Sequence, residues 1–137
     1  MLGSNVTVSA LNAGEYTVKF ILKDKTNYRW ADGVQTDENG NAVRGWTVAR
    51  MKVARPKANG KNYVVNGKTL VYIPDGFDDA IMKITNNRYS YGGDFTAEIT
   101  LADTANYEWE DGTTDVVYIK WHIVGGKTVF VVVVSVL

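Results

Sequence analysis

The chain has no cysteine, a single histidine and only two prolines in 137 residues. Without cysteine there is no disulfide framework and no thiolate nucleophile, and compartment cannot be read from redox usage. His122 alone, with no thiol or second imidazole, cannot build a zinc site or a Cys–His pair. Net charge is missing as well: fifteen Lys and Arg balance fifteen Asp and Glu. No global field therefore draws the chain to nucleic acid or to a membrane. The longest apolar run, Val129 to Val134 (VFVVVV), falls far short of the roughly 20 residues needed to cross a bilayer as a helix. Met1 to Ala10 lack the basic start and apolar core of a secretory leader, so the chain is expected to be soluble or cut from something larger.

Familiar catalytic patterns are equally scarce. Ser9, Ser90 and Ser135 lie outside any Gly-x-Ser-x-Gly context. Glu108, Glu110, Asp111 and Asp115 crowd one turn, where carboxylates are usually solvated, and no Asp-x-Asp-x-Asp-Gly spacing points to calcium. Gly92-Gly93 lacks the helix start that phosphate binding uses. The basic stretch that contains Trp46 and Tyr63 raises single-stranded nucleic acid as an option, but Trp46 alternates inward. The expectation is a chain with no enzymatic activity, no catalytic or metal-binding residues and no cofactor.

What the chain does have is apolar and aromatic mass, 45% hydrophobic with four Trp and eight Tyr, enough for a sizeable core. It also repeats itself. NYRWADG (Asn27 to Gly33) returns as NYEWEDG (Asn106 to Gly112), and the match extends without a gap over Asn12–Gly33 and Tyr91–Gly112. Downstream, GWTV from Gly45 parallels KWHI from Lys120, after a length change near Asp37 to Asn41 (DENGN). A polar turn accepts such a change at little cost.

The periodicity is two throughout. Tyr16, Val18, Phe20 and Leu22 share one strand face, as do Phe95, Ala97, Ile99 and Leu101. Val117, Ile119, Trp121 and Ile123 make a third inward face, and Met51 and Val53 a fourth. Asn39-Gly40, Asn59-Gly60 and Asn66-Gly67 are turn dipeptides, and Asp103 to Tyr107 suits one helical turn. Short strands between frequent turns predict an all-β antiparallel sandwich. In the repeated phrase, Trp30 or Trp109 plugs the open end of the sandwich and Asp-Gly turns the chain. The rival role for these aromatics is an exposed pair that grips a sugar.

The pattern G-x-Y-T…L-K-D…N-Y-x-W-x-D-G…W-(T/H)-(I/V), with NYVVNGKTLVYIPDGFDDAIMKIT (Asn62 to Thr85), resembles the Ig-like repeats of bacterial cell-surface proteins and phage virion proteins. In such repeats a YNG-type strand, a GFD or GYD turn and a G-x-Y-T strand precede the Trp corner. Here they are VNG (Val65 to Gly67), DGFDD (Asp75 to Asp79) and GGDFT (Gly92 to Thr96). The resemblance implies an Ig-like sandwich with a repeat core of Trp30, Trp46, Trp109, Trp121, Tyr16 and Phe95, and it carries no catalytic residues.

Residues 51–124 match one complete repeat, whereas 1–50 hold only the later strands of another. After the second Trp strand, residues 125–137 (GGKTVFVVVVSVL) add an apolar segment without polar alternation. Such a run is buried on both faces or aggregates. An incomplete sandwich at one end and a surplus strand at the other suggest that Val129, Phe130, Val131, Val132, Val133 and Val134 complete the first half, in their own chain or in a neighbour. Charge is segregated too: Asn39 to Pro74 holds seven basic residues and no acid, and Asp75 to Asp115 ten acids against two bases. These features predict a structural module of a phage virion, a decoration, fibre or tail-associated protein assembling through strand contacts. The alternatives are a stalk or adhesin segment at a bacterial surface and a carbohydrate-binding module with exposed aromatics among Tyr89, Tyr91, Tyr118 and Trp109 on one face. Expected partners are further copies or other virion or surface subunits, with a surface glycan as an option, and neither nucleic acid nor membrane insertion.

Overall fold

The structure is a computed structural model that describes residues 7–126 and 132–136. Among them every regular element is a strand. The chain divides into two compact units, Met1–Met51 and Lys52–Leu137.

In the first unit, β1 (Gly14–Phe20) and β2 (Ala42–Val48) form a two-stranded antiparallel sheet. Its register sets Tyr16 opposite Trp46 and Phe20 opposite Ala42. Tyr16, Val18 and Phe20 are half-buried while Glu15, Thr17 and Lys19 are exposed, the alternation that period two predicts.

The second unit carries β4 (Tyr63–Val64), β5 (Leu70–Val71), β6 (Met82–Thr85), β7 (Arg88–Tyr89), β8 (Gly93–Leu101), β9 (Tyr107–Trp109) and β10 (Val117–Val124), after β3 (Met51–Val53) at the junction. Four of these make a sheet in the order β4-β10-β8-β6, with β4 parallel to β10 and the other pairs antiparallel. β3 pairs with β9 and β5 with β7. β10 is buried at every second residue: Val117, Ile119, Trp121 and Ile123 point inward and Tyr118, Lys120 and His122 outward. Ala97, Ile99 and Leu101 of β8 complete that inner face. Tyr72 and Trp109 pack against it, with Val53, Leu70, Phe77 and Tyr107 half-buried around them. Met51 departs from its expected inward place and is 63% exposed. β3 is three residues long, and Val53 is the position on it that packs against the core.

The chain changes ladders at Asn86-Asn87, between β6 and β7. Asn86 has φ 57°, a left-handed backbone that Asn tolerates better than other side chains. Its carbonyl accepts the Trp121 indole N–H at 3.0 Å. Asn87 is buried; its Nδ2 donates to the Tyr72 carbonyl at 3.0 Å, and Tyr72 N donates back to the Asn87 carbonyl at 2.8 Å. The Tyr72 ring in turn stacks on Trp121, centroids 5.1 Å apart. Every buried polar group of this switch named here thus has a partner.

Gly92 closes the unit where the chain ends of β8 and β10 meet. A Cβ built there would lie 2.7 Å from Gly125 Cα and 2.9 Å from Gly125 N, both backbone atoms that cannot rotate aside. Gly92→Ala should therefore destabilise the second unit by about 1–3 kcal/mol. Gly126→Ala, with nothing within 4 Å, should leave it unchanged. Denaturant midpoints of the two variants read the difference, and equal midpoints would contradict the close approach.

Candidate assembly surface

The phrase that occurs twice in the sequence makes the same corner twice. Asp24 Oδ1 accepts from the backbone N–H groups of Thr26 and Asn27, and its Oδ2 accepts from Asn27 Nδ2 at 2.8 Å. Asp103 does the same with Ala105, Asn106 and Asn106 Nδ2 at 2.7 Å. In each corner a single α-turn follows, Tyr28 N to Asp24 O and Tyr107 N to Asp103 O. Bonding to Asn27 and to Asn106, side chain first, lowers the pKa of Asp24 and of Asp103 below the ordinary carboxylate value. Each Trp indole then donates to a carbonyl further along, Trp30 to Gly40 at 2.9 Å and Trp109 to Asp115 at 2.7 Å. Gly33 and Gly112 turn the chain at φ 85° and 84°, a conformation only glycine adopts without strain. Trp46 faces Tyr16 across β1 and β2 with centroids 5.1 Å apart, and Trp121 faces Phe95 at the same separation.

Burial separates the two corners. Trp109, Ala97, Ile99 and Ile123 have no exposed surface, and Trp121 has 6%. At the matching places Trp30, Val18, Phe20, Val48 and Trp46 are all half-buried. In the second unit the covering comes from the segment before β8: Tyr63 meets Trp121 edge-on at 5.6 Å, Tyr72 stacks on it, and Arg55 lies 5.7 Å above the Trp109 ring. β6 also pairs with the far end of β8, Met82 opposite Leu101. The first unit has a two-stranded sheet, and β1 stops at Phe20, so Leu22 falls outside the strand. The start of β2 is paired on its outer side, where Val43 N donates to Gln35 O and Thr36 bridges Ala42. From Arg44 to Val48 that outer edge carries no strand among the described residues.

Of the apolar tail, Val129, Phe130 and Val131 lie outside the described residues. Val132, Val133 and Val134 are outside any strand and 80%, 83% and 76% exposed, and Val136 is 90% exposed. No strand is formed at these three valines among the described residues. A short segment whose every residue is apolar has no solvated face to turn outward, so it gains from an edge that is open on both sides.

Two other expected features change on inspection. The basic and acidic stretches meet inside the second unit. Lys52 pairs with Glu108 at 3.1 Å and Arg55 with Asp111 at 2.9 Å. Arg55 also donates to Thr113 Oγ1 at 2.6 Å, and Thr113 donates to Asp111 from both hydroxyl and backbone. These bonds, Thr113 foremost and Arg55 second, lower Asp111 to about 2. The sequence displayed these ends as separate charge blocks, and their pairing across more than fifty residues became visible only in the fold. Of the aromatics among which the carbohydrate-binding alternative looks for exposed rings, Trp109 is fully buried, Tyr89 stacks on Phe95 at 3.8 Å, and Tyr91 and Tyr118 are exposed. His122 Nδ1 lies 2.6 Å from Asp94 Oδ1 on the open outer face. Among the described residues no group of three or more His, Cys, Asp or Glu could hold a metal ion, and no helix is long and apolar enough to cross a membrane. Comparison with protein-family models, curated proteins and solved structures finds no match.

Trp109→Ala should cost about 3–5 kcal/mol, because an indole without exposed surface leaves a cavity behind. Trp30→Ala should cost less than half as much, since its ring is already half in water; thermal melts of both variants make the comparison. Acid should weaken the second corner. The folded pKa of Asp111 lies below the unfolded value of about 3.9, so its contribution is complete above that pH and is lost as pH falls toward about 2. Asp111→Asn should flatten the loss of stability between about pH 4 and pH 2, as read by denaturant midpoints across that range.

Proposed function

We propose that the chain is a non-enzymatic structural module built on Ig-like sandwiches, one complete and one awaiting strands, and that it assembles through β-strand contacts. The observation that carries this is the pair of corners with equal bonding and unequal cover. The second unit spends residues 52–90 on covering the aromatic row of its β8–β10 pair, while the matching row on β1–β2 stays half-exposed and its edge from Arg44 to Val48 is open among the described residues. A row of aromatics over an unpaired edge is a template for strand addition.

The chemistry of the titrating groups agrees with a structural role. The carboxylates whose acidity shifts are Asp24, Asp37, Asp103 and Asp111, and each owes its shift first to bonds with neighbours two to four residues on. They fix turns. Placement in a phage virion, as a decoration, fibre or tail-associated subunit, rests on the resemblance of the repeat motifs and on this need for partner strands.

Solution mass by multi-angle light scattering tests the reading directly. Assembly requires species above the 15.2 kDa of one chain that grow with concentration. A monomer at every concentration up to about 100 μM, well above the dissociation constants of specific interfaces, would overturn it.

A further inference from the structure

We infer that the open edge of β2 is filled by the C-terminal segment of a second copy, lying parallel to β2 as β4 lies parallel to β10. This rests on the assembly reading above and gives it a donor, an acceptor and a register.

The second unit shows how the equivalent edge is closed. There β4 adds to the outer side of β10, Tyr63 opposite Ile123 and Val64 opposite Val124, and Val65 N donates to the Val124 carbonyl at 3.1 Å. Tyr63 thereby brings its ring edge-on to Trp121. The residues that do this read Gly60-Lys61-Asn62-Tyr63-Val64-Val65. The tail reads Gly126-Lys127-Thr128-Val129-Phe130-Val131-Val132: glycine and lysine, a Thr-Val spacer one residue longer than Asn62, then an aromatic followed by two valines. No other stretch of the chain repeats that order. Trp121 and Ile123 of β10 occupy the places of Trp46 and Val48 in β2, so the register sets Phe130 opposite Val48, with its ring on Trp46.

Reach and burial fit the same occupant. Eleven residues follow Gly126, about 36 Å when extended, and the open stretch Arg44 to Val48 needs about 17 Å. Trp46 and Val48, half-buried in the single chain, are the residues this strand would cover, while Val132 to Val134, 76% to 83% exposed, run on past Val48. Taking the segment from a second copy makes the contact heterologous, so copies link head to tail and close into a ring or continue as a filament.

The absence of cysteine supplies a clean test. Two full-length variants, Val48→Cys and Phe130→Cys, are mixed and mildly oxidised. The expected product is a disulfide-linked pair of the two different chains. Val131→Cys, one residue along and pointing to the other face, should link several-fold less to Val48→Cys. A chain carrying both Val48→Cys and Phe130→Cys should link between copies and not within one. Linking within one chain would overturn the second-copy donor. Because Phe130→Cys removes a ring, a chain ending at Gly126 is measured beside it by light scattering. It should fall to a single-chain mass. If it keeps the oligomeric mass of the full chain, the tail is not the donor and the inference fails while the assembly reading survives. A full-length chain that is itself monomeric defeats both.

Discussion

Two antiparallel strands present a row of side chains that they cannot cover themselves, and the arrangement of this molecule follows from how that row is covered. In the second unit the row is Phe95, Ala97, Ile99 and Leu101 beside Val117, Ile119, Trp121 and Ile123. Four short strands and their loops fold over it, and the indole of Trp109 is sealed with its N–H on the Asp115 carbonyl. A buried indole with an unmet N–H would cost a hydrogen bond's desolvation, so the position of Asp115 follows from that of Trp109. In the first unit the same aromatic row meets no covering segment within its sheet, and its rings remain half in water.

The corner itself is indifferent to that difference. Asp24 and Asp103 hold their turns with bonds confined to the next three residues, and these form whether or not a core exists beside them. Local bonding of this kind explains why the phrase keeps its geometry in both places while the burial of its tryptophan does not. Arg55 marks the boundary between the two levels. It reaches across the chain to Asp111 and Thr113 and lies over Trp109, so it joins a local turn to a distant segment. The first corner has Lys19 beside Asp37 at 3.3 Å, an exposed lysine on a half-buried carboxylate that fastens the longer turn without covering the ring.

One inward place in the first unit also breaks the pattern of the second. Arg44 stands opposite Val18, where the second unit sets Ile119 opposite Ala97. A guanidinium on that face is tolerable while the face is open, because its head stays in water along an apolar stem. A single partner strand along the outer edge of β2 leaves that face open and Arg44 its water, whereas a full covering sheet would bury it unpaired.

Local chemistry set what the sequence determined alone. Alternation of apolar and polar residues placed the inward faces of β1, β8 and β10, and the Asn-Gly pairs marked turns where Gly40, Gly60 and Gly67 take positive φ. The repeated corner was legible as a phrase, with its Asp-Gly turn and one helical turn over Asp103 to Tyr107, because its bonds span three residues, although the Asp–Asn bonding itself came from the fold. Tertiary structure decided the rest. It sealed Trp109 completely while leaving Trp30 half in water, left Met51 exposed, paired Arg55 with Asp111, and turned Asn86-Asn87 into a change of ladder. It also left the described valines of the tail outside any strand. Each of these depends on which distant segment arrives to cover a surface, and a pattern of neighbours along the chain holds no record of that arrival.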